Sequence, residues 1–125
     1  MDAPMKTVMD FFNQWGPTKA DLHQSMRDYL GSDGIWENVG LAVTRGSDEA
    51  IGFINGFDAQ MPFEYISVEM LHGAVTGNSV LTERIDHLHA ADGTILLSIR
   101  MMGVLEVEGN RIARWRDYYD TASLS

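Results

Sequence analysis

Four ionisable side chains, Glu83, Arg84, Asp86 and His87, fall within the seven residues TERIDHL, Thr82 to Leu88, in a stretch that otherwise reads as a β-strand. Successive strand residues point to opposite faces, so Thr82, Arg84, Asp86 and Leu88 share one face and Glu83, Ile85 and His87 the other. Downstream, RIARWRDYYD divides in the same way. Ala113, Trp115, Asp117 and Tyr119 take one face, and Ile112, Arg114, Arg116 and Tyr118 the other. An Arg and an Asp on one strand face form, in the first instance, an exposed ion pair contributing about 0–1 kcal/mol. If both strands turn these faces inward, Asp86, Arg84 and Asp117 instead share an apolar site with two negative charges against one positive. Two carboxylates about 6 Å apart at an effective dielectric of about 20 repel by about 2.8 kcal/mol, equivalent to about two pK units, before Arg84 offsets part of it. Burial pushes the same way, so the pair would share one proton and present an acid and a base tied together by a guanidinium. A buried ionic triad adds little stability because desolvation consumes most of the Coulomb gain, so burial would favour function over scaffolding.

A third element is GIWENVG, in which Trp36 and Asn38 share a face if the segment is extended while Glu37 turns away. A core Trp beside a turn Asn accounts for it equally well. An amide both donates and accepts, so Asn38 could also hold a water against Asp117. His87 and His89 lie on one strand face and His72 could approach from the neighbouring strand. No carboxylate or Cys completes a recognisable metal-ligand spacing around them, so the expectation is a half-exposed polar face and no metal.

These groups need elements to position them. Met5, Val8, Met9, Phe12 and Trp15 repeat at helical spacing and Gly16-Pro17 ends the pattern. Thr18 begins a second helix with Asp21 in a capping-box arrangement, apolar Leu22, Met26, Tyr29 and Leu30, and Gly31 as its stop. Ser47 is placed to cap a third helix, with Ile51, Ile54, Phe57, Asp58 and Met61 as its stripe and Pro62 as its break. Ile35 to Val43, before it, reads as a short strand and loop. From Glu64 the period becomes two, punctuated by the hairpin signals Gly77-Asn78, Asp92-Gly93 and Gly109-Asn110. Four antiparallel strands in meander order follow, the third placing Ile95, Leu97, Ile99, Met101, Leu105 and Val107 on one face. The expected architecture is α+β, one domain over residues 1–125, with helices covering a curved, mainly antiparallel sheet that encloses a deep pocket. Leu88 beside Asp86, Tyr119 beside Asp117, and Ile99 and Met101 from the strand between would line it for a substrate. Of the eight Met residues, Met26, Met101 and Met102 suit either core or an adaptable pocket, core being the first expectation.

Composition narrows the partners. A net charge of -9 with nine scattered Lys and Arg argues against nucleic acid, whose phosphates demand a basic footprint. Without cysteine there is no thiolate nucleophile, Cys-ligated metal or disulfide, and no signature of an oxidising compartment. The start MDAPMKTVMDFF lacks the pattern of a signal peptide and no stretch approaches a membrane span, so the expectation is a cytoplasmic protein with no membrane partner.

TERIDHL, MMGVLEVEGNRIARWRDYYD and the upstream WEN together resemble the limonene-1,2-epoxide hydrolase family, from about Gly34 to Asp120 with compatible helices before it. Each piece alone is weakly specific and the combination fairly so. The resemblance implies a cone-shaped fold similar to nuclear transport factor 2 and ketosteroid isomerase, usually homodimeric, and one-step opening of an epoxide without cofactor or covalent intermediate. It further implies Asp86 as general acid, Asp117 as general base on water, Arg84 as the bridge orienting both, and Asn38 as a holder of the water. The family usually has Tyr where this chain has Trp36; indole is donor only, although its N–H could still point at the water oxygen. The loop VGLAVTRG also lacks the prolines common there in relatives. An apolar epoxide, terpene-like or cyclic, is the implied guest. Two other functions fit the same architecture. One is an isomerase or polyketide cyclase, which would want a basic carboxylate in the upstream strand and a helix-borne Tyr where this chain offers Asn38 and Trp15. The other is a non-catalytic ligand-binding module.

Overall fold

The computed structural model describes residues 2–124. Two N-terminal helices, α1 (Ala3–Asn13) and α2 (Lys19–Leu30), precede a short hairpin of β1 (Ile35–Asn38) and β2 (Ala42–Arg45). A third helix, α3 (Gly46–Asn55), leads into β3 (Tyr65–Thr76), β4 (Ser79–His89), β5 (Ile95–Glu108) and β6 (Arg111–Tyr118), and Thr121–Leu124 forms a closing 3-10 turn. The six strands make one unclosed sheet in the order β2-β1-β6-β5-β4-β3. Every pairing is antiparallel except β1 with β6, which run parallel. Register breaks at Met70/His72, Leu88/His89 and Glu106/Val107 bend the long strands, as bulges do. The sheet therefore curves around the helices, giving the expected α+β architecture.

The capping box at α2 is present: Thr18 Oγ1 accepts from the Asp21 N–H and the Asp21 carboxylate accepts from the Thr18 N–H, each at 3.1 Å. The apolar faces of α1 (Val8, Phe11, Phe12) and α2 (Leu22, Met26, Leu30) are buried against Val80, Leu105, Ile112 and Trp115 of the sheet. Phe11 meets the edges of Trp15 and Trp115 at 5.1 and 5.3 Å, an aromatic core that fixes β6 under the helices. No helix among the described residues is long and apolar enough to cross a membrane.

Several expectations are corrected. Ile35 to Val43 holds the short strand and the turn, but a second strand, β2, begins at its end and pairs back on β1. The cap of α3 is Arg45 rather than Ser47, and the helix ends at Asn55, so Phe57, Asp58 and Met61 lie in the turns beyond it. Asp92-Gly93 sits within a five-residue loop, Ala90–Thr94, closed by bonds between Ala90 and Thr94 and between Gly93 and Ala90. The bulge beside Leu88 turns Ile95 outward, where it is exposed. A second bulge opposite Val107 leaves Ala113 out of register, so Ile112 is buried on the same side as Trp115 instead of facing away. Met102 is exposed on the outer face, unlike Met26 and Met101. A single inserted residue flips strand facing, and the alternation rule cannot see it.

Candidate active site

The inward face of β4 carries Thr82, Arg84, Asp86 and Leu88, all buried, so the exposed-pair reading of Arg84 and Asp86 does not hold. Asp117, on β6, is separated from β4 by β5. The cross-strand register aligns Thr82 with Gly103 and Gly103 with Asp117, while Arg84 stands opposite Met101 and Asp86 opposite Ile99. Arg84 must therefore span the width of β5 to reach Asp117, and Gly103 lets it. A Cβ at Gly103 would lie 2.5 Å from Asp117 Oδ1 and 2.6 Å from Arg84 Nη1. Absence of a side chain here is a requirement of the site, one that no local sequence pattern announces.

Arg84 is fully buried and every one of its nitrogens is engaged. Its Nε donates to Asp86 Oδ1 at 2.9 Å and its Nη2 to both oxygens of Asp117 at 2.9 Å. Nη1 donates to Thr82 Oγ1, whose own proton goes to the Gly103 carbonyl, both at 3.1 Å. The Phe12 ring lies under the guanidinium at 4.8 Å. The two carboxylates outweigh the burial that opposes its charge, so Arg84 is held more firmly cationic than a free side chain. Asp86 moves in the opposite direction from an ordinary carboxylate in contact with Arg: burial pushes it up to about 6, Arg84 pulls against that, and the charge of Asp117 adds to the rise.

Asp117 is surrounded by donors. Trp115 Nε1 donates to Oδ1 at 2.8 Å and Trp36 Nε1 to Oδ2 at 3.3 Å, in addition to Arg84. The indole of Trp36 is thus directed at the carboxylate, not at a water oxygen as the sequence suggested. The parallel pairing of β1 with β6 explains this, because it sets Trp36 beside Trp115 and Asn38 beside Asp117. The two indoles stack at 4.3 Å and 9°, and Phe53 closes on Trp36 edge-on. Asn38 Oδ1 accepts from the Tyr119 hydroxyl at 2.7 Å, whereas Asn38 Nδ2 is buried with no hydrogen-bond partner. Tyr119 itself lies just beyond the end of β6.

These groups form the polar floor of one cavity. Trp36, Asn38, Asp86, Asp117 and Tyr119 line it, with Leu88, Ile99 and Met101 on the sheet side, so eight of the nine residues singled out from sequence meet there. The ninth, Arg84, sits behind the floor. The opposite wall was not foreseen: Phe53, Ile54 and Phe57 come from α3 and its following turn, and Met61, Phe63 and Ile66 from the approach to β3 and its start. A run of Phe, Ile and Met after the third helix was the available signal. Trp15, expected on the first helix and weighed for an isomerase, lies past the end of α1 at Asn13, is buried in the core and does not line the cavity. The histidines take separate polar partners: His72 pairs with Glu83, His87 with Glu69 and Ser98, and His89 with Ser67 while stacked on Tyr65, His87 and His89 meeting edge-on at 6.4 Å. Among the described residues no group of three or more His, Cys, Asp or Glu is placed to hold a metal ion.

A six-stranded curved sheet with helices on its inner face and a largely apolar cavity with an ionic floor defines a nuclear transport factor 2-like protein. Consistent with that class, an NTF2-like protein from Burkholderia pseudomallei superimposes with a TM-score of 0.74 at 19% identity, covering 99% of this chain and 95% of that one. Within the class, the chain belongs to the family of the limonene-1,2-epoxide hydrolase catalytic domain, whose model matches residues 2–125. It is 35% identical over 91 residues to epoxide hydrolase EphG of Mycobacterium tuberculosis. That match takes in 73% of this chain but 58% of the relative, so the chain spans little more than half the length of that protein. It is also similar to the structure of an LEH-like epoxide hydrolase from M. tuberculosis, with a TM-score of 0.71, 27% identity, and coverage of 95% of this chain and 79% of that one.

Proposed function

We propose that this protein is a cofactor-independent epoxide hydrolase that adds water to an apolar epoxide, terpene-like or cyclic, to give a vicinal diol. The observation that carries the reading is a fully buried Arg84 bonded to both Asp86 and Asp117 at the floor of an apolar cavity. Asp117 takes a proton from a water whose oxygen attacks an epoxide carbon. The carbon–oxygen bond of the ring breaks, and Asp86 delivers its proton to the leaving oxygen. Ring strain belongs to the substrate, so positioning and proton transfer are all the protein must supply. Solvent then returns the proton balance, leaving Asp86 protonated and Asp117 ionised. Arg84 orients both carboxyl groups, Asn38 holds the water, and Trp36 bears on Asp117. Leu88, Ile99, Met101 and Tyr119 surround the substrate. Back-side attack inverts the attacked carbon.

The test is incubation with a panel of cyclic and linear epoxides in ¹⁸O-labelled water, following label into the diol. Asp86→Asn and Asp117→Asn should each lower the rate about 10²-fold or more. Full activity in either variant removes the triad from the mechanism, and no turnover across the panel favours a non-catalytic binding module. The exposed Leu81, Met102 and Tyr118 on the outer sheet face support a homodimer, measurable by sedimentation.

A further inference from the structure

Water attack requires one water with a defined orientation: one proton toward the base, one lone pair toward carbon, and the second lone pair held by a donor. The donors near Asp117 are nearly all spent. Arg84, Trp115 and Trp36 direct their N–H groups at the oxygens of Asp117, Arg84 Nη2 sharing itself between the two and Trp36 reaching Oδ2 only at 3.3 Å, which leaves Oδ2 the more open oxygen for a water's proton. The single N–H of Trp36 is committed to Oδ2, so it cannot also bind the water. Asn38 Nδ2 is different. It is buried without a protein partner on a residue that lines the cavity and stands in register with Asp117. A buried amide left unpaired is costly, and a bound water would offset that cost.

An Asn amide can present either end to a cavity. Here the Tyr119 hydroxyl donates to Oδ1 at 2.7 Å and so assigns the oxygen to itself and the N–H end to the remaining space. Tyr119 keeps its proton: burial and the neighbouring Asp117 and Asp86 push it up to about 12. We infer that Tyr119 is a positioning residue, whose hydroxyl turns Asn38 so that Nδ2 donates to the attacking water beside Asp117. Without the hydroxyl, the amide is free to rotate and present Oδ1, an acceptor that competes with Asp117 for the water's proton. This inference rests on the proposed hydrolysis, but the Tyr119–Asn38 arrangement has a readout of its own.

The experiment has two arms. In the first, Tyr119→Phe, Asn38→Ala and the double variant are compared on whichever epoxide the wild type turns over. Tyr119→Phe should lower kcat about tenfold, as loss of reactant alignment does, with KM changed less than about twofold. Added to Asn38→Ala, it should have no further effect. A raised KM with kcat intact would confine Tyr119 to contact with the substrate, with no part in aligning the water, and additive losses would show that it acts independently of Asn38; either overturns the inference. The second arm needs no activity: neutron diffraction from deuterium-exchanged wild-type crystals should place the Tyr119 deuteron toward Asn38 and the Asn38 amide deuterons toward a water shared with Asp117. Amide deuterons directed at Tyr119 would overturn the inference even in an active enzyme. Absence of epoxide turnover with the expected deuteron positions would instead count against the hydrolase reading alone.

Discussion

Asp86→Asn should separate stability from activity. Asp86 is pushed up to about 6 from an ordinary 3.8, about two pK units, which at 1.36 kcal/mol per unit is about 3 kcal/mol. The sign follows from proton linkage. Between pH 3.8 and about 6 the folded protein retains a proton that the unfolded chain has released, so this contribution to stability is full below 3.8 and lost as pH rises through about 6. Asn mimics the protonated carboxyl and never ionises. The variant should therefore be more stable than wild type by about 3 kcal/mol at pH 7, with the gap closing toward pH 4. At the same time its epoxide turnover should fall about 10²-fold or more, since the acid is gone. Urea unfolding of both proteins from pH 4 to 8, at matched m-values, measures the first effect, and diol formation the second. The wild-type kcat/KM should decline above about pH 6, because the free enzyme then loses the proton it must donate. A variant less stable than wild type at pH 7, or a stability gap independent of pH, would refute the reasoning. Arg84 would then be holding Asp86 as a carboxylate, and Asp86 could not be the acid.

Trp36→Tyr should preserve or raise hydrolysis, because it removes the N–H on Asp117 Oδ2 and brings a group that can both donate and accept; steady-state kinetics check this, and a large loss would mean that the indole itself has a direct part in the reaction. It should also cost about 1 kcal/mol of stability by breaking the stack on Trp115, read by urea unfolding. Gly103→Ala should lower the rate about 10²-fold and destabilise the fold by about 1–3 kcal/mol, because the added carbon displaces both Asp117 and Arg84; near-wild-type activity would show that the ion pair tolerates displacement.

What was legible in the sequence was whatever obeys local periodicity. The inward face of TERIDHL follows from alternation alone, and so do Trp115 and Asp117 on the last strand, since no bulge intervenes within either stretch. The capping box at Thr18 was readable because both partners lie three residues apart. What was hidden depends on the third dimension. The parallel pairing of β1 with β6 joins segments at opposite ends of the chain, and nothing local announces that Trp36 will stack on Trp115 or that Asn38 will stand beside Asp117. Ile95 and Ile112 were misplaced for the converse reason, each lying past a bulge that resets the alternation. The wall from Phe53 to Ile66 was missed because α3 stops at Asn55 and the following turns, not a helical stripe, bring Phe57 and Met61 to the cavity.

That long-range pairing also gives the two carboxyl groups unequal surroundings. The two Asp residues receive hydrogen bonds unequally. Asp86 accepts from Arg84, whereas Asp117 accepts from Arg84 and from two indoles, one of them brought by β1. Both are buried, so water cannot even out the difference. The proposed role of Asp86 as the acid draws support from this asymmetry of surroundings, to which Trp36 and Trp115 contribute, and from the burial that pushes Asp86 up to about 6. A triad of Asp, Arg and Asp is symmetric on paper; the strand order of the sheet makes it asymmetric in space.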